Sequence, residues 1–453
     1  MKQRFDLRKH SLGNEQGVTL ILVTVSLLSL VGIAALAIDM TTLYVARAEI
    51  QHAADAAALA GAKAFVDSGV TSDPSNATLQ GIATTMAGDF VTAVAAQNNV
   101  SGSPPQLVSA PVIDLTPAGQ PNVVGNPRVT VTLQRANLPL FFARIWGGSS
   151  ASVRATAIAE AYNPAFSSNN TGSFTPAAPK CVKPFLVPNN DPNPAQTGNP
   201  PFVLPATGAV NSTGISFVGE SILLTPACNH GPQNGPNSGC NLRTFNPANP
   251  TPQVSPGEYL PLVLPDTHQY CPSVSAPGCS GGATDFEQST ECCDGTPINF
   301  RKCGASAIPA TWDPSTNPWG PNGPAKQGLQ CLIHTTNSGP PSGTAAQDIL
   351  IPPPAQMQIL AGDYTHARYN IPVGTPIATS DSIITVPLFE NNTSPMPATV
   401  TIVGFLQLFV DYVENTGDVH AHILNVSGCG SNPSGNVASG GGVSPIPVRL
   451  IHN

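Results

Sequence analysis

The strongest signal in the hydropathy pattern is an uninterrupted apolar run near the N-terminus. Residues 18–38, VTLILVTVSLLSLVGIAALAI, carry no charge; Val18 opens the run and Ile38 closes it. As a helix this run is about 31 Å long, against a hydrocarbon core of roughly 30 Å. A secretory signal has an apolar core of only about 7–15 residues and a small-residue cleavage site. Here the run leads straight to Asp39. The pattern therefore predicts an uncleaved transmembrane helix. After it, Leu43, Ala46, Ile50, Ala53, Ala57, Ala60 and Ala64 recur at alternating spacings of three and four, a heptad seam built mostly of alanine. Arg47, Glu49, Asp55 and Lys63 lie off that seam. The seam reads as a helix–helix assembly surface continuous with the anchor; the alternative is a helix folded back on the chain's own domain.

Beyond residue 66 the pattern predicts a second helix over 79–96, with Ile82, Met86, Phe90 and Val94 near one face. Strands are expected over 108–115 and 129–133, a short helix over 138–145, and a strand over 151–161. Further strands are expected over 185–187, 215–217, 222–224 and 259–264, then over 383–389, 398–413 and 419–426, with residues 414–418 as a hairpin turn. The fold class is α+β. A transmembrane helix continues into an Ala-rich helix and a small α+β head, followed by a β-rich, disulfide-containing ectodomain. The expected divisions are a cytoplasmic N-terminus at 1–17, the membrane helix at 18–38, the helix and head at 39–161 and a linker at 162–180. A Cys-rich β/loop region at 181–340 and a C-terminal β-rich region at 341–453 follow.

Composition sharpens this picture. Charged residues are 10% of the 453, against roughly 25% in an average soluble domain, while Pro (48) and Gly (41) are abundant. The formal net charge is −8, with no basic cluster past the N-terminus, which argues against nucleic-acid binding. Lys2, Arg4, Arg8 and Lys9 precede the apolar run and only Arg47 lies in the twenty residues after it. The positive-inside rule then places the N-terminus in the cytoplasm and the rest outside. Ten cysteines fit export: Cys181, Cys228, Cys240, Cys271, Cys279, Cys292, Cys293, Cys303, Cys331 and Cys429 are disulfide candidates. No C-x-x-C pair supports zinc. The neighbours Cys292 and Cys293 are expected to bond to different partners.

Chemistry-bearing motifs are few. No phosphate-cradling glycine motif occurs, so no nucleotide is expected. Gly278-Cys279-Ser280-Gly281-Gly282 matches G-x-S-x-G, but the strand and helix that a nucleophile elbow needs are absent around it. Asp285, Glu287, Glu291 and Asp294 are a weak calcium candidate; they lack the order of a known ligand loop and read instead as a solvated acidic turn. His420 and His422 alternate with Val419, Ala421 and Ile423 and read as the solvent face of a strand. No catalytic residue, metal or cofactor is expected.

One stretch resembles a known family. Gly17-Val18-Thr19-Leu20, the apolar run, Ala37-Ile38-Asp39-Met40 and Arg47-Ala48-Glu49-Ile50-Gln51-His52-Ala53-Ala54-Asp55-Ala56-Ala57-Ala58-Leu59-Ala60-Gly61-Ala62 are similar to the N-terminal region of TadE/TadG-like proteins of Flp (Tad) pilus assembly. A weaker likeness reaches about residue 161 through Leu138-Pro139-Leu140-Phe141-Phe142-Ala143-Arg144 and Ser152-Val153-Arg154-Ala155-Thr156-Ala157. The resemblance implies a non-enzymatic, single-pass protein of the bacterial inner membrane. Its exported part would be pilin-like or pilus-associated, and its partners would be other Tad proteins or itself through the Ala-rich helix. A prepilin-type cut would fall between Gly17 and Val18, but Leu22 stands where such sites carry Glu, which argues against processing. The D-x-S-x-S metal signature of larger TadG-like proteins is not found. The alternative function is a surface adhesin or glycan-binding module on a Tad-type anchor.

Overall fold

The computed structural model describes residues 15–115, 126–140, 142–143, 148, 150–163, 179–193, 198–206, 208–211, 216–227, 254–264, 268–270, 276–279, 284–294, 309–311, 320, 322–341, 346–354, 356–390, 399–428 and 444–451. They form two compact units. The first comprises Met1–Ala57, Thr92–Pro111 and Val131–Ala157; the second comprises Ala58–Val91, Val112–Thr130 and Ile158–Asn453.

The first unit holds most of α1 (Glu15–Asp67) and the end of α2 (Ala77–Gln97). It also holds β1 (Gln106–Leu107), the latter part of β3 (Arg128–Pro139) and most of β4 (Ser150–Ala161). β1 runs antiparallel to β3, with Gln106 opposite Gln134 and Leu107 opposite Leu133. β3 and β4 are neighbours, and the hydroxyls of Thr132 and Thr156 meet across them at 3.0 Å. The buried side chains are alanines and branched aliphatics: Ala46, Ile50, Ala53, Ala54 and Ala57 from α1, Val131 and Leu133 from β3, Ala155 and Ala157 from β4. β3 continues through Pro139, where a short helix over 138–145 was expected. Of the expected strand over 108–115, only β2 (Val112–Asp114) is strand.

The second unit begins with the last turns of α1. Gly61 is needed there: a Cβ would stand 2.8 Å from Val91 Cγ2 and 3.1 Å from Val129 Cγ1, so the backbone of α1 lies directly on α2 and β3. Asn76 caps α2, its Oδ1 accepting from the amides of Thr78 (3.0 Å) and Leu79 (3.3 Å). β2 pairs antiparallel with the start of β3. The C-terminal strand β17 (Val448–Ile451), unforeseen in the sequence, pairs antiparallel with residues 158–161 of β4. Buried Glu160 fixes it, receiving Arg449 at 2.7 Å and Arg128 at 3.3 Å.

A β-barrel stands where the sequence announced only β-rich regions. Its strands are β5 (Phe185–Pro188), β6 (Ser221–Pro226), β7 (Glu258–Pro261), β14 (Ile383–Phe389), β15 (Thr399–Val413) and β16 (Val419–Gly428). β14, β15 and β16 form an antiparallel meander. β16 continues antiparallel onto β6, β6 pairs parallel with β7, β7 pairs antiparallel with β5, and β5 returns parallel to β14. That closes the ring, and closure removes the exposed edges of a sheet. Alternate positions fill one cluster: Phe185, Val187, Ile222, Leu224, Ile384, Val386, Leu388, Leu406, Leu408, Val410, Val419, Ala421 and Ile423. A barrel this small is filled by side chains and is not a pore.

Around the barrel lie β8 (His268–Tyr270) paired with β9 (Cys293–Asp294), and β10 (Pro309–Thr311) paired with β15. β11 (Ile349–Ile351), β12 (Gln358–Leu360) and β13 (Pro376–Ile377) form a small sheet. Three short helices are α3 (Asp285–Glu291), α4 (Pro324–Leu332) and α5 (Asp363–Tyr369). α3 and α4 lend Phe286, Ala325, Leu329 and Leu332 to the barrel's core cluster. Of the expected strand over 215–217, the described residues Ser216 and Phe217 are irregular, and Phe217 is buried.

Within this unit the end of α1 is hydrogen-bonded to the barrel through Asn425 of β16. Its Nδ2 donates to Val66 O (2.9 Å) and to Gln407 Oε1 (2.8 Å). Its Oδ1 accepts from the hydroxyls of Thr71 and Ser72, both at 3.2 Å. The amide of Val426 donates to Ser72 Oγ at 2.9 Å, and Asn163 Nδ2 donates to Thr71 O at 2.8 Å. Gly69, at φ +74°, makes the turn: a Cβ there would meet Val218 and stand 2.8 Å from Leu424 O.

Two predictions follow from this packing. Asn425→Ala removes four buried hydrogen bonds and should lower the unfolding free energy of the detergent-solubilised chain by about 2–4 kcal/mol, read by urea titration. The second concerns Lys183, which is buried with its Nζ donating to Cys292 O at 2.7 Å. Burial lowers its pKa from 10.5 to about 7, against the opposing pull of Asp381 and Glu291. Between those values the unfolded chain binds the extra proton, so this lysine makes stability rise with pH from about 7 to 10.5 and leaves a constant cost below 7. Lys183→Met should flatten the profile between pH 7.5 and 9.5, relative to the parent, in denaturant titrations at each pH.

Candidate functional site: the anchor helix and its exit

α1 is one unbroken helix of 53 residues. Alanine-rich, proline-free sequence carries it past the apolar run without a stop. Its most apolar 18-residue window has a mean hydropathy of 2.7 and is only 6% buried. Val18, Leu20, Ile21, Leu22, Leu27, Leu30 and Ile33 are exposed on all sides of the helix. In water this surface would be an aggregation liability; in lipid it is a matched span. The hydroxyls within it do not need water. Thr24 Oγ1 donates to Leu20 O at 2.7 Å and Ser29 Oγ to Val25 O at 2.8 Å. Gly17 and Val18 lie inside α1, just after its start.

At the end of the apolar run Asp39 is 4% exposed. Its Oδ2 accepts from the backbone amides of Phe142 (3.0 Å) and Ala143 (2.7 Å), both in the same unit. A carboxylate next to hydrocarbon is costly unless its lone pairs are engaged; here two amides engage one oxygen. Gly148 N donates to Ala143 O at 3.0 Å. Sequence reading took Asp39 only as the end of the anchor. The available signal was an acidic residue directly against 21 uncharged positions with no cation nearby.

Past Asp39 the two sides of α1 differ. Of the heptad positions, Ala46, Ile50, Ala53, Ala57 and Ala64 are fully buried within the chain, and Leu43 and Ala60 are half-buried. At 100° per residue, Thr41, Val45, Ala48 and His52 lie on the opposite side, and all four are exposed. Polar positions are held locally: Glu49 Oε2 accepts from Ser101 N at 2.7 Å, and Gln51 Nε2 donates to Asp55 Oδ1 at 2.8 Å. Lys63 pairs with Asp67 at 2.6 Å and donates to Ala378 O at 2.7 Å.

The remaining candidates are dispersed. Cys181 is bridged to Cys293 and Cys279 to Cys331. Cys292 is also disulfide-bonded, to a partner outside the described residues, so the adjacent pair does serve two bridges. Cys228, Cys240, Cys271, Cys303, Cys429 and Ser280 lie outside the described residues. The expected acidic turn is the helix α3, capped by Thr284. Asp285 is exposed and Glu287 and Glu291 are buried. Among the described residues no three His, Cys, Asp or Glu side chains gather to hold a metal ion. His420 and His422 do alternate with buried Val419, Ala421 and Ile423, and each is paired with a carboxylate, Glu414 at 2.8 Å and Asp411 at 2.7 Å.

The residues that carry the exposed span and its exit also carry a family signature. Residues 17–64 match the family described as putative Flp pilus-assembly TadE/G-like. The match covers about a tenth of the chain and ends within α1. No curated protein and no solved structure matches the chain. The TadE/G-like segment is thus the exposed apolar helix, Asp39 and most of the heptad seam. Together these fit a membrane-anchored pilus protein.

The clamp makes a direct prediction. Asp39→Ala should speed hydrogen exchange at the amides of Phe142 and Ala143 about 10–100-fold, the loss of charge-assisted bonds worth about 1.5–3 kcal/mol. Exchange in the span itself should not change.

Proposed function

We propose that this chain is a non-enzymatic, single-pass protein of the bacterial inner membrane that serves Flp-type pilus assembly. Its N-terminus lies in the cytoplasm and its barrel outside. The observation that carries the reading is the TadE/G-like match at residues 17–64, falling on a helix whose apolar side chains are exposed all round. Orientation follows from Lys2, Arg4, Arg8 and Lys9 before the span against Arg47 alone in the twenty residues after it. The bridges Cys181–Cys293 and Cys279–Cys331 support an oxidising, exported location for that region.

Partners, whether other Tad proteins or a second copy, dock along α1. The heptad seam is occupied by the chain itself, so the face on offer is that of Thr41, Val45, Ala48 and His52. Charged substitutions at Ile50 or Ala57 would disrupt packing at buried positions and so report on folding. A photo-crosslinking residue at Ala48 should instead capture a partner in intact cells, while the same residue at Ile50 should not. Capture from Ile50 alone would place the seam, and not the exposed face, at the interface. Flotation with membranes after alkaline extraction, and protease access to the barrel only from outside the cytoplasm, test the anchor and its orientation.

A further inference from the structure

We infer that the folded part has a second contact with the bilayer, through the segment around Leu140 and Phe142, which Asp39 holds at the level of the lipid headgroups. This rests on the membrane-anchored reading of residues 18–38. The argument is one of height along the helix axis. The span ends at Ile38, and Asp39 lies about 1.5 Å further along the axis. The headgroup zone beyond the hydrocarbon is about 5–7 Å deep on each side. The amides of Phe142 and Ala143 sit 3.0 and 2.7 Å from Asp39 Oδ2 and therefore fall in that zone. A helical Cα–Cβ bond tilts toward the helix N-terminus, here toward the bilayer, so the carboxylate draws the segment down and not up.

Side-chain chemistry agrees with that position. Leu140 and Phe142 are only half-buried by protein. Trp is enriched at this depth. The sequence run 138–146, LPLFFARIW, carries three aromatics in nine positions, in a chain that is 6% aromatic. The consequence is mechanical. The folded part near the span is held to the membrane surface at two places, the span and the Leu140–Phe142 segment, and does not swing freely on a stalk.

The test uses the full chain in phosphatidylcholine/phosphatidylglycerol vesicles with Phe142→Trp as reporter, its added emission taken against the parent's three tryptophans. Lipid brominated near the headgroup should quench at least half of the added emission, and aqueous iodide should quench little of it. Adding Asp39→Ala should reverse that order, and Asp39→Asn, which keeps an acceptor for an amide, should largely restore it. Iodide quenching with no lipid quenching in a chain that floats with the vesicles overturns the second contact while leaving the anchor intact. A chain that does not float overturns the anchor reading and this inference with it. Unchanged lipid quenching in the Asp39→Ala chain would show that Asp39 does not hold the segment down, which also contradicts the inference.

Discussion

Every other feature of this molecule depends on the continuity of α1. In hydrocarbon each backbone N–H and C=O must be paired within the segment, which a helix achieves. Nothing in the sequence after Ile38 ends that helix: no proline or glycine intervenes before Gly61, and from Ala46 on most residues are strong helix formers. The same hydrogen-bond ladder therefore runs from lipid into folded protein and stops at Asp67. The junction between membrane and protein has no loop to absorb motion.

Polar side chains then mark the two ends of the stretch of this helix that follows the apolar run. Asp39 stands at the exit and engages two amides of the 142–143 segment. Asn425 receives the other end, taking Val66 O and the hydroxyls of Thr71 and Ser72 onto the barrel. Both are buried polar groups whose partners are specific in position, so they define where the helix sits more than how strongly it binds. Between them the packing is by small residues. Gly61 lets α1 touch Val91 and Val129, and the alanine seam buries little area per residue but allows close approach.

Sequence reading recovered what is local. Twenty-one uncharged residues, the apolar runs over 383–389 and 398–413, the alternation over 419–423 and the turn at 414–418 each carry their signal within a short window, and the structure places a helix, β14, β15 and the β15–β16 hairpin there. Barrel closure was not legible, because it rests on the parallel pairs β5 with β14 and β6 with β7, the first of which joins residues 201 positions apart, Leu388 with Val187, in strands of four to seven residues. β17 is four residues long and isolated in sequence, so no periodicity announces it. The seam was visible as a stripe, but an alanine stripe looks the same whether it meets a partner helix or its own chain. Asp39 was visible as a residue and not as a clamp, since its partners lie about a hundred positions away.

The most direct test of this account is residue-resolved hydrogen exchange of the full chain in lipid nanodiscs, followed along α1. The account predicts unbroken protection from the span through residues 38–46 to the end of the helix near Asp67. A fast-exchanging break at 38–46 would contradict it, because the span and the Ala-rich stretch would then be two helices and not one continuous α1.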